Sequence, residues 1–476
     1  MGWFVQRKTV RKGPQPLVLE GLRAESETEA ARQERLVATT TASRAAKRLK
    51  RLPVFRASAS DQPRGAASDR FTDARLALSL AFTPAQPVID PALFAGRSDM
   101  LTTLIRSIED QRLHVIAYGE RGIGKTSLIH VLSQAAREAR YLVSYTSCGA
   151  DSAFDEAIRA VANDIPLIFH KDYGPSSPEG ERGDTLADLL GPAPLSVRQA
   201  TDALTKVTGT RLLMVLDEFD RVESSEFRLS IAELIKGLSD RASRVQVMIA
   251  GVARNLTELV DHVPSIQRNI LALPVFRMTD VEVRELIQIG EERSDLRFEE
   301  AARNAIVTAA NGLPYLASLL SHHAGLEAVS QSRLDVTVAD VDASISRALI
   351  EQRRRISKDV LGRIGTSMDE GGGAALAGLS NLAQLAGGAF DVDELASAWP
   401  GRPEGVVRTR TLVERLVAEH VLLERTHATC GVTYRFADDG LPIYLWLLAA
   451  QSRLRERVPR ARGEPGRGVS TAISST

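Results

Sequence analysis

The chain has 476 residues, of which 44% are hydrophobic and 25% charged, so it can bury a large core and is long enough for two or three domains. Its two cysteines, Cys148 and Cys430, are too few and too far apart for a disulfide framework or a Cys/His zinc site. The first residues contain no apolar stretch of signal-peptide length, and no apolar run approaches the roughly 20 residues that cross a bilayer. We therefore expect a soluble, cytoplasmic protein without a membrane partner.

The formal net charge is +0, but the charge is unevenly distributed. Residues 1–75 carry sixteen Lys and Arg against eight Asp and Glu, and residues 451–476 carry six against two. These basic ends flank an acidic body, so an anionic partner such as DNA is expected to contact the ends. The alternative is that both ends are solvated, flexible tails.

The first part of the chain, residues 1–84, is rich in Arg, Ala, Ser and Thr, is interrupted by prolines and has no regular period. It is predicted to be a basic, largely flexible N-terminal region. Apolar residues then recur at helical spacing from Leu101 to Ile108, followed by a short apolar run at 114–118, a glycine-rich loop and a helical stretch at 127–137. Strand, loop and helix in this order are typical of a nucleotide-binding βα unit.

Further short apolar runs occur at 141–145, 212–216, 245–250 and 270–273, with helical stretches between them. Strands that alternate with helices indicate a parallel sheet covered on both faces. We therefore expect an α/β fold with a P-loop NTPase core at residues 85–278. The proline-rich stretch 172–194 is predicted to be an inserted loop.

Helical patterns dominate after residue 279. Segments at 281–291, 298–310, 314–324 and 339–353 predict an all-α unit, an α-helical lid at residues 279–356.

The following part, residues 357–450, predicts three helices and a hairpin. The helices are expected at 374–385, 392–399 and 404–420, and the hairpin strands at 421–425 and 432–436. This pattern indicates a C-terminal winged-helix domain, with a small α+β domain as the alternative. Residues 451–476 are predicted to be a basic, flexible tail.

The loop after the first strand has the pattern of a phosphate-binding loop, or Walker A motif. Its glycines allow backbone N–H groups to curl around phosphates; Lys125 would reach the β and γ phosphates, and the Thr126 hydroxyl would bind Mg²⁺. ATP and Mg²⁺ are therefore the expected cofactors. The nucleotide-binding candidates here are Gly119, Glu120, Arg121, Gly122, Ile123, Gly124, Lys125, Thr126 and Ser127.

The apolar run at 212–216 ends in two carboxylates, Asp217 and Glu218, as a Walker B strand does. Asp217 is the second metal-site candidate besides Thr126, acting mainly through the water shell of Mg²⁺. Glu218 would orient and deprotonate the attacking water, so we expect an ATPase that converts ATP and water to ADP and phosphate. The alternative is a strand that ends in ordinary surface acids.

Three further polar residues are catalytic candidates. After the strand at 245–250, either Arg254 or Asn255 could sense the γ-phosphate, although Asn255 also suits a helix N-cap. Arg268 lies just before the last strand, where an arginine can point into a neighbouring subunit and offset charge on the transferred phosphoryl group. An ordinary surface arginine is the alternative for Arg268.

These motifs resemble those of the AAA+ and STAND NTPases, and among them the replication-initiation (origin-recognition-like) ATPases of archaea and eukaryotes and their bacterial relatives. The resemblance spans about residues 93–448. It implies a five-stranded ATPase core, a helical lid, a C-terminal winged helix, nucleotide-controlled assembly, and adenine packing near Leu93 and Phe94. The residues that carry it are Phe94-x-Gly-Arg97, the Gly-Ile-Gly-Lys-Thr of the loop, Asp217-Glu218-Phe219-Asp220-Arg221 and Ser265-x-x-Arg268.

The lid departs from the initiator pattern. Initiators tend to carry an arginine sensor after a Gly-x-Pro turn, whereas this chain reads Gly312-Leu313-Pro314-Tyr315. Gly-Leu-Pro is closer to the STAND pattern, and Pro314 is a further nucleotide-binding candidate on that resemblance.

The favoured function is an ATP-driven switch whose nucleotide state sets oligomerisation or partner contact, with the winged helix docking on a protein. The alternative is a DNA-binding ATPase that acts in replication, transposition or mobile-element defence. Residues 361–450 hold seven Lys and Arg against eleven Asp and Glu. Phosphate contacts dominate DNA affinity, so an acidic winged helix would read DNA poorly. A nucleotide-binding scaffold without turnover is disfavoured by Glu218.

Overall fold

In the computed structural model, five parallel strands form one central sheet, which confirms the expected α/β fold. The strand order is β2-β3-β4-β1-β5. All residues of β3 and β4 are buried, as expected when helices cover both faces of a parallel sheet. The strands are β1 His114–Tyr118, β2 Leu142–Ser147, β3 Leu212–Asp217, β4 Val245–Gly251 and β5 Ile270–Pro274.

The structure describes residues 70–253, 264–367, 390, 411, 413–419, 421–428, 431–438 and 440–457, which belong to a single compact unit. The helices predicted at 374–385 and 392–399 lie outside the described residues, as do the sensor candidates Arg254 and Asn255.

Helices precede the sheet and connect its strands up to β4. The stretch 172–194, predicted as an inserted loop, contains two short helices and is fixed in place because Arg159 donates to the carbonyls of Gly191 and Ala193. The helices are α1 Arg70–Ala81, α2 Ser98–Glu109, α3 Lys125–Glu138, α4 Phe154–Asn163, α5 Pro178–Arg182, α6 Leu186–Leu189, α7 Val197–Leu204 and α8 Ser225–Asp240.

The four helices that come next after β5 agree closely with the four predicted for the lid, and we call them the lid helices. Capping boxes at Thr279 and Thr337 begin the first and the last of them. A parallel pair of two-residue strands, β6 Arg297–Phe298 and β7 Asp335–Val336, was not predicted, since two residues show no alternation. The lid helices are α9 Asp280–Ser294, α10 Glu300–Ala310, α11 Pro314–Ser330 and α12 Val338–Arg353.

Helix α1 falls within the N-terminal region that is predicted to be largely flexible. Ala74, Leu78 and Phe82 recur every four residues and are buried in the same apolar core as the lid helices. The pattern spans little more than two turns, so it was too short to stand out in the sequence.

The predicted hairpin is present as the antiparallel strands β8 Leu423–Ala428 and β9 Gly431–Phe436. Helix α13 Leu441–Arg457 follows and extends into the predicted tail. It packs on the lid helices, and the Trp446 indole N–H donates to the Ala309 carbonyl at 2.7 Å. In the described part of the chain, no helix combines the length and the apolar character needed to cross a membrane.

One buried histidine fixes the start of β1. His114 Nδ1 accepts the backbone N–H of Val247 at 2.9 Å, so its single proton must lie on Nε2, which is 3.0 Å from Ser239 Oγ. Burial lowers the pKa of His114 from 6.5 to about 4.

This histidine predicts acid sensitivity of the fold. Between pH 6.5 and 4 the unfolded chain binds a proton that the folded chain excludes, so the free energy of unfolding should fall as the pH drops through this window. The loss should be on the order of 3 kcal/mol. Urea unfolding of the wild type and His114→Gln at pH 7 and pH 4.5 measures it. Equal pH dependence in both proteins would contradict the assignment.

Candidate functional site

The phosphate-binding loop connects β1 to α3, so it lies at the carboxyl edge of the sheet. Gly119 leaves room for Val275, because a Cβ there would lie 2.5 Å from the Val275 carbonyl oxygen. Gly124 adopts φ 90° at the N-cap of α3, a conformation that glycine reaches without strain. The first N–H groups of a helix have no partner within it, so the start of α3 offers donors next to the loop, as anion binding requires.

Lys125 is buried under this loop. Its ammonium donates to the carbonyls of Gly119 at 2.9 Å and Glu120 at 2.8 Å. Burial lowers the pKa of Lys125 to about 8, although the carboxylates of Asp220, Asp217 and Glu120 raise it in part. The lysine is thus held in place by its own loop and sits close to its titration point at neutral to mildly basic pH.

Asp217 brings together groups from three elements. Its Oδ2 accepts from Thr126 Oγ1 and from the Tyr145 hydroxyl, each at 2.9 Å. Its Oδ1 accepts from the backbone N–H of Glu218 at 2.8 Å. The Thr126 hydroxyl and the Asp217 carboxylate are hard oxygen donors at hydrogen-bond distance from one another, a donor pair that fits Mg²⁺.

Glu218 has a strained backbone and two side-chain partners. Its φ is 55°, in the left-handed region that a glutamate rarely adopts. Its Oε2 accepts from Ser147 Oγ at 3.0 Å and from Arg221 Nη1 at 2.8 Å. Partial burial raises the pKa of Glu218, but the hydrogen bonds from Arg221 and Ser147 outweigh it, so the net pKa is lowered. Glu218 is therefore an ionised carboxylate held at the strand end.

A cavity of about 740 Å³ extends from these residues towards the lid helices. Its charged lining residues come from the phosphate-binding loop, the end of β3 and the turn that follows β3, and we call this group the phosphate end. They are Arg121, Lys125, Asp217, Glu218, Asp220 and Arg221.

The rest of the lining is mostly apolar, and we call it the base end. Leu93 and Pro314 line it as predicted candidates, whereas Phe94 is buried and is not among the lining residues. Much of this wall is the segment 82–88 between α1 and the core, which we call the strap. Other residues of the wall are Leu286 and Ile289 of α9, and Tyr315 and Ser318 of α11.

Several residues of this site were not predicted from the sequence. Asp220 lines the phosphate end, and its Oδ1 accepts the backbone N–H of Val252 at 2.7 Å, so it fixes the end of β4. The acidic string after β3 could have drawn attention to it. Tyr145 and Ser147 carry no motif, and the strap lies in a region predicted to be flexible.

The segment Gly96-Arg97 joins the loop to the lid helices. Arg97 is buried beside Gly124 and donates from Nη2 to the Phe276 carbonyl at 2.9 Å, and its backbone N–H donates to Glu282 Oε1 at 3.2 Å. Burial lowers the pKa of Arg97 to about 10, while Glu282 opposes this shift. Because Arg97 contacts both α9 and the phosphate-binding loop, a displacement of α9 would also shift the loop.

Arg268 does not line the cavity of its own chain. It lies in the 3₁₀ turn Pro264–Asn269 before β5, and its side chain is exposed. The predicted role of Arg268, acting on the site of a neighbouring subunit, stays a prediction.

The titration of Lys125 predicts a pH dependence of ligand binding. A bound triphosphate favours the ammonium form and raises its pKa, so binding should take up a proton when the free lysine is partly neutral. Affinity for a nucleoside triphosphate should therefore fall as the pH rises above about 8. Calorimetric titration at pH 7 and pH 9, in buffers of different ionisation enthalpy, measures both effects. No proton uptake and equal affinities would contradict this assignment.

Comparison with solved structures gives matches of low identity. Cdc6p from Pyrobaculum aerophilum is 14% identical with a TM-score of 0.42, covering 79% of this chain and 98% of that chain. ORC1 from Aeropyrum pernix in complex with DNA is 15% identical with a TM-score of 0.41, covering 80% and 98%. The RuvB Holliday junction branch migration motor of Thermotoga maritima is 15% identical with a TM-score of 0.39, covering 71% and 92%. At these TM-scores the likeness carries no argument about function.

Comparison of sequences is more direct. No curated protein matches the chain. The family described as Novel STAND NTPase 1 matches residues 81–343, which is more than half of the chain and includes the phosphate-binding loop, the Walker B strand and most of the lid helices. The chain therefore belongs to the Novel STAND NTPase 1 family of P-loop NTPases.

Proposed function

We propose that the chain binds Mg-ATP in the cavity and hydrolyses it, and that its nucleotide state controls assembly or partner engagement. The observation that carries this proposal is the hydrogen bond of 2.9 Å between Thr126 Oγ1 and Asp217 Oδ2. It places a hydroxyl of the phosphate-binding loop against the Walker B carboxylate, within a cavity that also contains Lys125 and Glu218.

The phosphate end binds the triphosphate through the chain's own donors. Lys125 exchanges the carbonyls of Gly119 and Glu120 for phosphate oxygens, and the N–H groups of the first turn of α3 donate to the same phosphates. Thr126 and Asp217 would hold Mg²⁺, which when bound supplies positive charge that stabilises the phosphate oxygens.

Glu218 is the proposed general base. Ser147 and Arg221 both donate to its Oε2 and lower its pKa, which makes it a weak base in this arrangement. Release of either donor would raise the pKa and free the oxygen to accept a proton from water. We therefore expect slow basal hydrolysis that increases when Arg221 or Ser147 moves.

The switch is supported by the packing around the cavity. The base end is lined by α9 and α11, and α13 packs on the same group of lid helices through Trp446. Nucleotide contacts could therefore alter the position of the C-terminal segment, where a winged helix would engage a protein partner. Homo-oligomerisation through the ATPase core would bring Arg268 to a neighbouring site, and Arg254 or Asn255 would sense the γ-phosphate.

DNA binding is the second candidate because of the basic ends of the sequence. The C-terminal hairpin and the helical residues just before it offer little support for DNA binding, since Arg415, Arg425 and Arg435 each pair with a glutamate at 2.7–3.2 Å. An arginine paired in this way contributes less to phosphate binding. Any DNA contact is therefore assigned to the ends of the chain.

Glu218→Gln tests the chemistry. Glutamine keeps the shape of the side chain but cannot accept the proton, so kcat should fall about 10²- to 10⁴-fold while affinity for Mg-ATP changes little. Glu223→Gln is the matched control, because Glu223 is exposed nearby and does not line the cavity. Phosphate release measures kcat, and a wild-type rate in Glu218→Gln would show that Glu218 is not the base.

The same variant tests the switch. Trapping the ATP state should raise the assembled fraction measured by light scattering, because a ligand shifts an equilibrium only if it favours one state. The measurement is made with ADP and with ATP, with and without duplex DNA. A mass that depends on DNA but not on nucleotide would favour the DNA-binding function over the switch.

A further inference from the structure

The strap is joined to the core at one end and to the lid helices at the other. At the core end, the Val88 backbone N–H donates to Ser127 Oγ at 3.1 Å, in the first turn of α3. At the lid end, the Phe82 carbonyl lies 3.1 Å from Nδ1 of His322 on α11. A carbonyl only accepts, so the His322 ring must carry its proton on Nδ1. The strap therefore bridges the phosphate-binding loop and the lid helices.

The Phe82 ring fits into a gap on α9 that depends on a glycine. A Cβ at Gly290 would lie 1.9 Å from Cζ of Phe82, which no real structure tolerates. The ring is fully buried and also meets Phe298 edge-on at 6.3 Å between centroids. Leu286 and Ile289, adjacent to Gly290 on α9, line the base end of the cavity. The contact between Phe82 and Gly290 is therefore next to the residues of α9 that line the cavity.

The neighbouring turn of α1 repeats this arrangement. Leu78 is fully buried, and a Cβ at Gly325 of α11 would lie 2.7 Å from its Cδ1. The strap itself is restricted by Pro84 and Pro87 and by a turn in which the Gln86 N–H donates to the Thr83 carbonyl at 3.2 Å. The strap is therefore held in a single conformation. A binding-site wall that is already ordered reduces the conformational entropy that the protein loses when the ligand binds.

We propose that the strap retains the base and sugar of the bound nucleotide, and that Phe82 seated against Gly290 is the positioning contact that holds the strap closed. This proposal rests on the proposed nucleotide site. Phe82 is buried in the apolar core that it shares with the lid helices, and Gly290 lies on α9, so we expect this contact to act on the base-bearing part of the ligand rather than on the phosphates. The packing of Phe82, which follows α1, against Gly290 of α9 would therefore set the dissociation rate of the nucleotide.

The test compares a ligand that has a base with one that lacks it. Gly290→Ala should raise the dissociation rate of a fluorescent ATP analogue about tenfold or more, while the affinity for inorganic tripolyphosphate stays at the wild-type value. Gly362→Ala is the matched control, since nothing lies within 4 Å of the added Cβ. Thermal unfolding checks that each variant is folded.

Phe82→Ala provides a second route if Gly290→Ala does not fold. It should also speed dissociation, and Gly290→Ala combined with Phe82→Ala should be no faster than Phe82→Ala alone, because the added methyl group occupies the vacated space. Additive effects would overturn the proposed contact. So would unchanged dissociation in both single variants, or a parallel loss of tripolyphosphate affinity.

The nucleotide site itself is tested separately by Lys125→Ala, which should lose both ligands. If the wild type binds neither ATP nor tripolyphosphate, or if Lys125→Ala binds both normally, the proposed function fails. If those results hold and only the strap variants behave like the wild type, the proposed function stands and the strap proposal is overturned.

Discussion

Thr126 and Asp217 share a hydrogen bond because β1 and β3 run parallel and end at the same edge of the sheet. The two strands are not neighbours, since β4 lies between them. The loop after β1, the carboxylates at the end of β3 and the end of β4 therefore meet in one crevice, where parallel α/β sheets bind their ligands. Asp220 links the last two through the N–H of Val252, so the phosphate end is fixed by main-chain geometry.

The base end is formed differently, because its walls come from segments outside the sheet. The strap and the helices α9 and α11 share an apolar core that is distinct from the core beneath β3. Contacts such as that of Arg97 with Phe276 and Glu282 connect the two parts. A ligand that spans both ends would therefore favour a closed arrangement over one in which the parts separate. This geometry gives the proposed switch a physical basis.

The sequence predicted the parts of the fold that are encoded locally. A glycine-rich loop between a strand and a helix, and an apolar run that ends in two acids, are visible without any knowledge of tertiary contacts. Tyr145 could not be predicted in the same way, because its contact with Asp217 depends on the register of β2 against β3. Likewise, the need for a glycine at position 290 follows only from its contact with Phe82, which lies over 200 residues away in sequence. Long-range contacts of this kind are not encoded in periodicity or motif.

The phosphate-binding loop, the strap and the lid helices are proposed to form one nucleotide site. Hydrogen exchange of backbone amides, followed by mass spectrometry during titration with Mg-ATP, tests it most directly. The account predicts protection of three segments, at 83–88, at 119–127 and at the first turn of α11, with a single midpoint. Lys125→Ala should abolish protection in all three. Protection confined to 119–127, or different midpoints for the segments, would contradict the claim.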